Sequence, residues 1–213
     1  MSNTNITRIN LTKNIDPVSL SGTLFLIGGL QWFIGLLAAE SWYEGYSSRI
    51  DYVSDLGTGP TSIIYNSSVF IMGLLIVIGS FFLHQAQEKK LLPALLTVSG
   101  IGAMGVGVFP GNLQPMHSIF TLLAILFGAF AIIASYSHQK KPLSYISIIL
   151  GMMSLVLSFV FFPYLGLPVG STETFLGIAK GSMERWAIYP ILAWIIAFGS
   201  YLIGTSDSKR VDI

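Results

Sequence analysis

The chain has 213 residues, of which 53% are hydrophobic and 10% carry a charge, whereas soluble domains carry roughly 25% charged residues. Its 11 Lys and Arg residues nearly balance its 10 Asp and Glu residues, which argues against a nucleic-acid partner because such proteins present a basic stripe. The absence of Cys excludes disulfides, thiolate metal sites, Fe–S clusters and a cysteine nucleophile.

Six apolar stretches follow one another along the chain, at residues 18–39, 63–84, 91–109, 116–136, 143–165 and 186–204. Most reach the ~20 residues that a helix needs to cross a ~30 Å hydrocarbon core. The first stretch lacks a small-residue cleavage site and follows a polar tail, so we expect a retained span and not a signal peptide. The sequence predicts an all-α polytopic membrane protein: a single transmembrane domain, residues 1–213, forming a bundle of six transmembrane helices.

The cations outside these stretches are divided unevenly between the two sides of the predicted bundle. The side of the two termini carries Arg8, Lys13, Lys89, Lys90, Lys140, Lys141, Lys209 and Arg210. The other side carries Arg49, Lys180 and Arg185. Because an excess of Lys and Arg marks the cytoplasmic side, we expect cytoplasmic N- and C-termini in a multi-pass protein of the cell membrane.

The first predicted outer loop, residues 40–62, is dense in polar and aromatic groups. Asp51 and Asp55 are four residues apart, so on a helical turn they share one face. Gly57, Gly59 and Pro60 then interrupt the chain before the second stretch. Asp55 fits a turn or cap role, in which its carboxylate accepts backbone N–H groups, as well as it fits a functional role.

The third stretch carries small residues at four-residue spacing, namely Ser99, Ala103, Gly107 and Gly111. Such a stripe lets helix backbones approach closely in lipid, and we expect it to serve packing. After a short turn, His117 lies in the first turn of the fourth stretch. The positive end of a helix dipole disfavours the charged form of such an imidazole.

The last predicted outer loop, residues 163–185, contains an apolar segment, Phe175–Ala179, that is too short to span a membrane. We expect it to form a short interfacial helix or to fold back over the bundle. Glu184 and Arg185 then lead into the sixth stretch, where ionisable groups need partners. Because neighbouring side chains on a helix diverge by about 100°, Arg185 is expected to pair with a carboxylate from elsewhere, and Asp55 is the predicted partner.

Five polar residues are expected to share one depth near the outer face, and together they predict a cavity open to that side: Asp55, Asn66, His117, Glu184 and Arg185. A network that only locks the helices together is the alternative interpretation. A haem held between His84 and His138 is disfavoured, because both lie at span ends beside Lys-rich turns. The sequence has no HExxH, P-loop, GxSxG or Rossmann fingerprint, so no cofactor and no metal are predicted.

Three short segments resemble a known family: Tyr52-Val53-Ser54-Asp55-Leu56-Gly57-Thr58-Gly59-Pro60, the turn with Pro110, Asn112 and His117, and Glu184-Arg185-Trp186. They resemble the eukaryotic Frag1/DRAM/Sfk1 membrane family, and more closely the prokaryotic membrane family called domain of unknown function 998, over about residues 20–204. One departure is Arg185, since the eukaryotic group tends to have Trp directly after the Glu. The prokaryotic family lacks an assigned activity. The eukaryotic group is associated with glycolipid-anchor remodelling, phospholipid distribution and lysosomal autophagy.

The resemblance and the polar residues together favour a protein that binds a lipid or another amphiphile at the outer leaflet. In this hypothesis Arg185 contacts an anionic headgroup, Asn66 and Asn112 orient it, and Tyr52 and Trp186 flank it. One alternative is an intramembrane enzyme on lipid-linked substrates, with His117 as general base and Asp55 or Glu184 as its partner. The other is a structural or assembly subunit, favoured if the small-residue face of the third span points to lipid. Membrane lipids, and a membrane-protein partner or a second copy of the chain, are the expected partners.

Overall fold

The computed structural model describes residues 16–167 and 171–211, with side chains described up to residue 206. Six helices in this part are long and apolar enough to cross a membrane, which confirms the six predicted spans. They are α1 (Pro17–Trp42), α2 (Ser62–Ala86), α3 (Leu91–Val108), α4 (Met116–Ala134), α5 (Leu143–Phe161) and α6 (Lys180–Val211). Arg8 and Lys13 of the charge count lie outside the described residues. The cytoplasmic position of the termini stays a prediction.

The helices form a closed ring in which each packs against its neighbours in sequence and α6 packs against α1. The α6 helix also contacts α4 across the interior. Aromatic residues fill much of the centre, where the rings of Trp194 and Phe198 stack with centroids 4.6 Å apart. The outward surface is apolar, as lipid contact requires; Ile34 and Ile149, for example, are each 64% exposed.

Glycines allow the closest helix contacts. A Cβ atom on Gly73 of α2 would lie 2.5 Å from the carbonyl oxygen of Gly100, and one on Gly102 would lie 2.4 Å from the backbone nitrogen of Ala124 in α4. The small residues of α3 therefore face its two neighbours within the bundle, as the packing interpretation predicts. The structural-subunit alternative loses the feature that would favour it.

Three connecting segments form one end of the bundle, which we call the loop face, and their described residues are 43–61, 109–115, and 162–167 with 171–179. The first contains a 3₁₀ helix, Val53–Gly57. The third contains two antiparallel strands, β1 (Thr174–Phe175) and β2 (Ile178–Ala179). The hydroxyl of Tyr164 holds this hairpin. It accepts from the Phe175 N–H at 2.9 Å, and its single hydrogen is shared between the carbonyl oxygens of Phe175 and Ile178, at 2.9 and 2.8 Å.

For the third segment, two expectations are wrong: the interfacial helix, which was one of the two alternatives for Phe175–Ala179, and the start of the sixth span near Trp186. Phe175–Ala179 is part of a hairpin and not an interfacial helix, because Leu176 and Gly177 adopt φ angles of 54° and 74° and so form a turn. The α6 helix begins at Lys180 and not near Trp186. The hydrophobic stretch marks only where the apolar residues begin. The helix begins earlier in the chain and includes polar residues, which have partners inside the fold.

Candidate functional site

A polar pocket of about 60 Å³ lies at the loop face. Asp55, His117 and Glu184 line it together with Tyr52. The three ionisable residues come from the 3₁₀ helix, from the first turn of α4 and from the second turn of α6. Three of the five residues that were predicted to converge therefore do so, although they are far apart in sequence.

Asp55 combines a structural contact with a position in the polar pocket. Its Oδ2 atom accepts the N–H of Tyr52 at 3.0 Å and so caps the 3₁₀ helix, and it lies 3.8 Å from Nζ of the fully buried Lys180. Burial raises the pKa of Asp55, while the Tyr52 N–H and the Lys180 ammonium act in the opposite direction. The Lys180 ammonium also lies 4.3 Å from the centroid of the Tyr52 ring, a cation–π arrangement.

The side chains of Glu184 and His117 each form a hydrogen bond with a backbone group. The Glu184 Oε2 atom accepts the N–H of Val53, and the Ser54 side chain also hydrogen-bonds to this carboxylate. His117 Nδ1 lies 2.7 Å from the carbonyl oxygen of Phe109. Because a carbonyl only accepts, Nδ1 carries the proton, and Nε2 is the nitrogen left for the pocket. The proposed role of His117 as general base stays a prediction.

Arg185 pairs with Glu40, so the predicted pair with Asp55 is wrong. Its Nη2 atom lies 2.6 Å from Glu40 Oε1 and also donates to the Tyr46 hydroxyl. Nη1 donates to the carbonyl groups of Asp51 at 3.1 Å and of Gly181 at 2.9 Å. Arg185 follows Glu184 directly on α6, so the two side chains point in different directions. That of Arg185 points toward α1 and does not line the polar pocket.

Three further residues were predicted to bind the ligand, namely Asn66, Asn112 and Trp186, and all three also lie away from the polar pocket. Asn66 donates from Nδ2 to the Gly57 carbonyl at 2.9 Å, which ties α2 to the 3₁₀ helix. Asn112 is exposed in the turn between α3 and α4. Trp186 is 50% exposed and lines an outward groove between α5 and α6 with Tyr189. The prediction that all five polar residues share one cavity is therefore wrong for Asn66 and Arg185.

An interior cavity of about 80 Å³ adjoins the polar pocket. Ser54, Thr121 and Glu184 line both spaces, and the remaining wall is mostly apolar. Ser54, Thr121, Lys180 and Glu40 were not among the site residues predicted from the sequence. One signal was available for Thr121, since a hydroxyl group inside an apolar span needs a hydrogen-bond partner.

Comparison with known families adds a classification to this geometry. A family model described as "Protein of unknown function (DUF998)" matches residues 26–201. The chain belongs to this family. The matched range contains every residue that lines the polar pocket and the interior cavity. No curated protein and no solved structure matches the chain, and the more distant similarity to the Frag1/DRAM/Sfk1 family stays a prediction.

As a DUF998 protein with six membrane-spanning helices, the molecule is a multi-pass membrane protein. In the described part of the chain, no group of three or more His, Asp and Glu residues is placed to hold a metal ion. The polar pocket instead offers carboxylate oxygens and an imidazole nitrogen, together with the side chains of Gln114 and Ser118. The carboxylate and imidazole acceptors are suited to binding groups that donate hydrogen bonds, whereas Ser118 donates to the Gln114 side chain.

Proposed function

We propose that this multi-pass membrane protein binds an amphiphile whose polar head occupies the polar pocket. The observation that carries the proposal is the meeting of Asp55, His117 and Glu184, from three distant segments, in one pocket of a membrane bundle. Ionisable side chains within a membrane-spanning bundle are costly and mark binding or transport sites. The polar pocket shares lining residues with a mostly apolar cavity, and a polar space beside an apolar one matches the two kinds of surface that an amphiphile presents.

The chemistry of the polar pocket favours a head that donates hydrogen bonds, such as one with hydroxyl or ammonium groups. The Lys180 ammonium offsets the charge of Asp55, but the Glu184 carboxylate lines the polar pocket and repels an anionic head in a site of low dielectric constant. Arg185, the earlier candidate for an anionic head, already donates from both terminal nitrogens to protein groups. The proposal therefore rests on the acceptors of the pocket and not on Arg185.

The proposal places the loop face at the outer side of the cell membrane. Support comes from the Lys pairs at the opposite end of the bundle, Lys89 with Lys90 and Lys140 with Lys141, because such an excess is typical of cytoplasmic loops. The head would then be taken from the outer leaflet. The membrane itself supplies the apolar environment from which the rest of the ligand would enter the protein.

A panel of amphiphiles that share a dodecyl chain and differ in the head tests the proposal. Purified protein in nanodiscs is titrated with the glucoside, amine, phosphocholine and carboxylate forms, and binding is followed by thermal unfolding. The glucoside and the amine should stabilise the protein, and the carboxylate should not. Loss of a hydrogen bond to a charged group is worth ~1.5–3 kcal/mol, so Glu184→Gln should weaken binding of the preferred heads about tenfold or more.

Glu44→Gln is the matched control, because Glu44 is an exposed carboxylate at the same face of the bundle. It should bind every head as the unmodified protein does. If all four heads shift the unfolding temperature equally, or if Glu184→Gln and Glu44→Gln give the same pattern, the polar pocket does not select the head and the proposal fails.

A further inference from the structure

The interior cavity has polar groups at two depths below the loop face. Glu184 and Thr121 lie four and five residues after the starts of α6 and α4, or about 6–8 Å along each helix at ~1.5 Å per residue. Ser99 and Trp32 lie nine and ten residues from the loop-face ends of α3 and α1, or about 14–15 Å. The two polar levels are therefore separated by about 6–9 Å, and most of the wall between them is apolar.

One polar group at each level lacks a protein partner. Nε1 of Trp32 and Oγ1 of Thr121 are buried atoms with no hydrogen-bond partner among the described residues, and the two residues are only 4% and 7% exposed. A buried polar group without a partner is destabilising. The indole N–H of Trp32 can only donate, whereas the hydroxyl of Thr121 can donate and accept. A molecule inside the cavity that accepts hydrogen bonds would satisfy both.

The volume of the cavity limits the size of that molecule. The cavity measures about 80 Å³, which is room for two or three waters at the ~30 Å³ that each occupies in the liquid. Hydrogen-bonded oxygens are ~2.8 Å apart, so a row of three waters covers about 6 Å and bridges the two polar levels. Cavities that stay dry are apolar throughout, whereas this one has a buried carboxylate at one level and an unsatisfied donor at the other.

We propose that the interior cavity binds a row of two or three water molecules between Glu184 and Trp32. The water nearest the loop face accepts from the Thr121 hydroxyl and donates to the Glu184 carboxylate. The deepest water accepts from Nε1 of Trp32 and donates to Oγ of Ser99. That oxygen is able to accept, because it donates its own hydrogen to the Ala124 carbonyl at 2.8 Å and keeps its lone pairs.

The water has a consequence for the polar pocket, because Glu184 lines both spaces. An ionised carboxylate is costly inside a membrane-spanning bundle. The Val53 N–H and the Ser54 side chain bond to this carboxylate, which leaves lone pairs unused. Water in the cavity supplies further hydrogen bonds and so stabilises the charged form that faces the polar pocket. The inference holds whether or not an amphiphile occupies that pocket.

Hydroxyl-radical footprinting detects such water directly, because X-ray pulses split a bound water and the radical oxidises the side chain beside it. The protein is irradiated in nanodiscs in heavy-oxygen water, and oxidised residues are identified by mass spectrometry. Trp32 should be oxidised several times faster than Phe25, an aromatic residue of the same helix that is fully buried and absent from the cavity lining. Equal rates for Trp32 and Phe25 would indicate a dry cavity and overturn the inference.

A matched pair of variants tests whether the water lies in the cavity. Ala103→Leu adds bulk to the cavity wall, whereas Ala193→Leu makes the same change at an exposed position of α6. Oxidation of Trp32 should be lost in Ala103→Leu, because too little room for water remains, and it should be unchanged in Ala193→Leu. Equal oxidation of Trp32 in both variants would contradict the inference.

Thr121→Val covers the case in which Ala103→Leu fails to fold, because it removes the hydroxyl at nearly constant size. In a hydrated cavity this variant loses a hydrogen bond to water, so the folding equilibrium constant should fall about fivefold, the loss typical of one hydrogen bond. In a dry cavity the variant removes a buried polar group that has no partner, and stability stays the same or rises. An unchanged or increased constant, measured by denaturant unfolding in mixed micelles, would therefore overturn the inference.

Discussion

At the scale of single residues, Arg185 shows how one side chain connects distant parts of the loop face. Its guanidinium reaches Glu40 at the end of α1, Tyr46 and the Asp51 carbonyl in the first loop, and Gly181 in its own helix. The Arg185 side chain is 7% exposed and that of Glu40 is 22% exposed. At this depth the charges hold each other in place, because either one alone would be costly to keep buried.

Removing one member of this pair should destabilise the protein. Arg185→Ala and Glu40→Ala should each lower the free energy of unfolding, by up to ~3–5 kcal/mol as for buried pairs, measured by denaturant unfolding in mixed micelles. The double variant should cost about 0.5–3 kcal/mol less than the sum of the two. The matched cycle with Asp55→Ala should show a smaller coupling to Arg185. Additive losses for Glu40 and Arg185 would mean that their contact contributes nothing to stability.

At the scale of elements, glycine determines how closely α2 and α3 approach. A Cβ atom on Gly73 would meet two backbone atoms of α3, the Gly100 oxygen at 2.5 Å and the Met104 nitrogen at 2.6 Å. Backbone cannot rotate away as a side chain does, so the helices would have to separate. By contrast, a Cβ atom on Gly204 of α6 would meet nothing within 4 Å.

Gly73→Ala should therefore lower the free energy of unfolding by ~1–3 kcal/mol, as overpacking of a close contact does. Gly204→Ala should leave it unchanged or raise it by up to ~1 kcal/mol, because Ala has the higher helix propensity. Thermal unfolding of the two variants in one detergent compares them directly. A Gly73→Ala protein as stable as Gly204→Ala would show that α2 and α3 do not pack this closely.

At the scale of the whole molecule, the even number of spans places the beginning of α1 and the end of α6 at the face opposite the loop face. The charge bias predicts that this opposite face is cytoplasmic. The chain contains no Cys, so a single introduced Cys reports its own position. Ser48 lies exposed at the loop face and Glu88 lies exposed at the other.

Ser48→Cys should react with an impermeant maleimide added outside intact cells, and Glu88→Cys should react only after the cells are opened. Each variant serves as the other's control, because both side chains are exposed. The reverse labelling pattern would mean that the topology is inverted and that the polar pocket lies at the cytoplasmic side. The amphiphile would then come from the inner leaflet, whereas the chemistry of the pocket would stay the same.

The sequence by itself determined the six spans, because the length and hydrophobicity of a helix in lipid are local properties of the chain. It also indicated that Asp55, His117 and Glu184 share a depth, since each lies at the end of a span on the same side. Only the tertiary structure decided that Arg185 pairs with Glu40, that Asp55 faces Lys180, and that Thr121 joins a pocket to a cavity. Those contacts depend on the rotation of each helix about its axis and on which helices become neighbours, and both are set by the packing of the whole bundle rather than by any one segment.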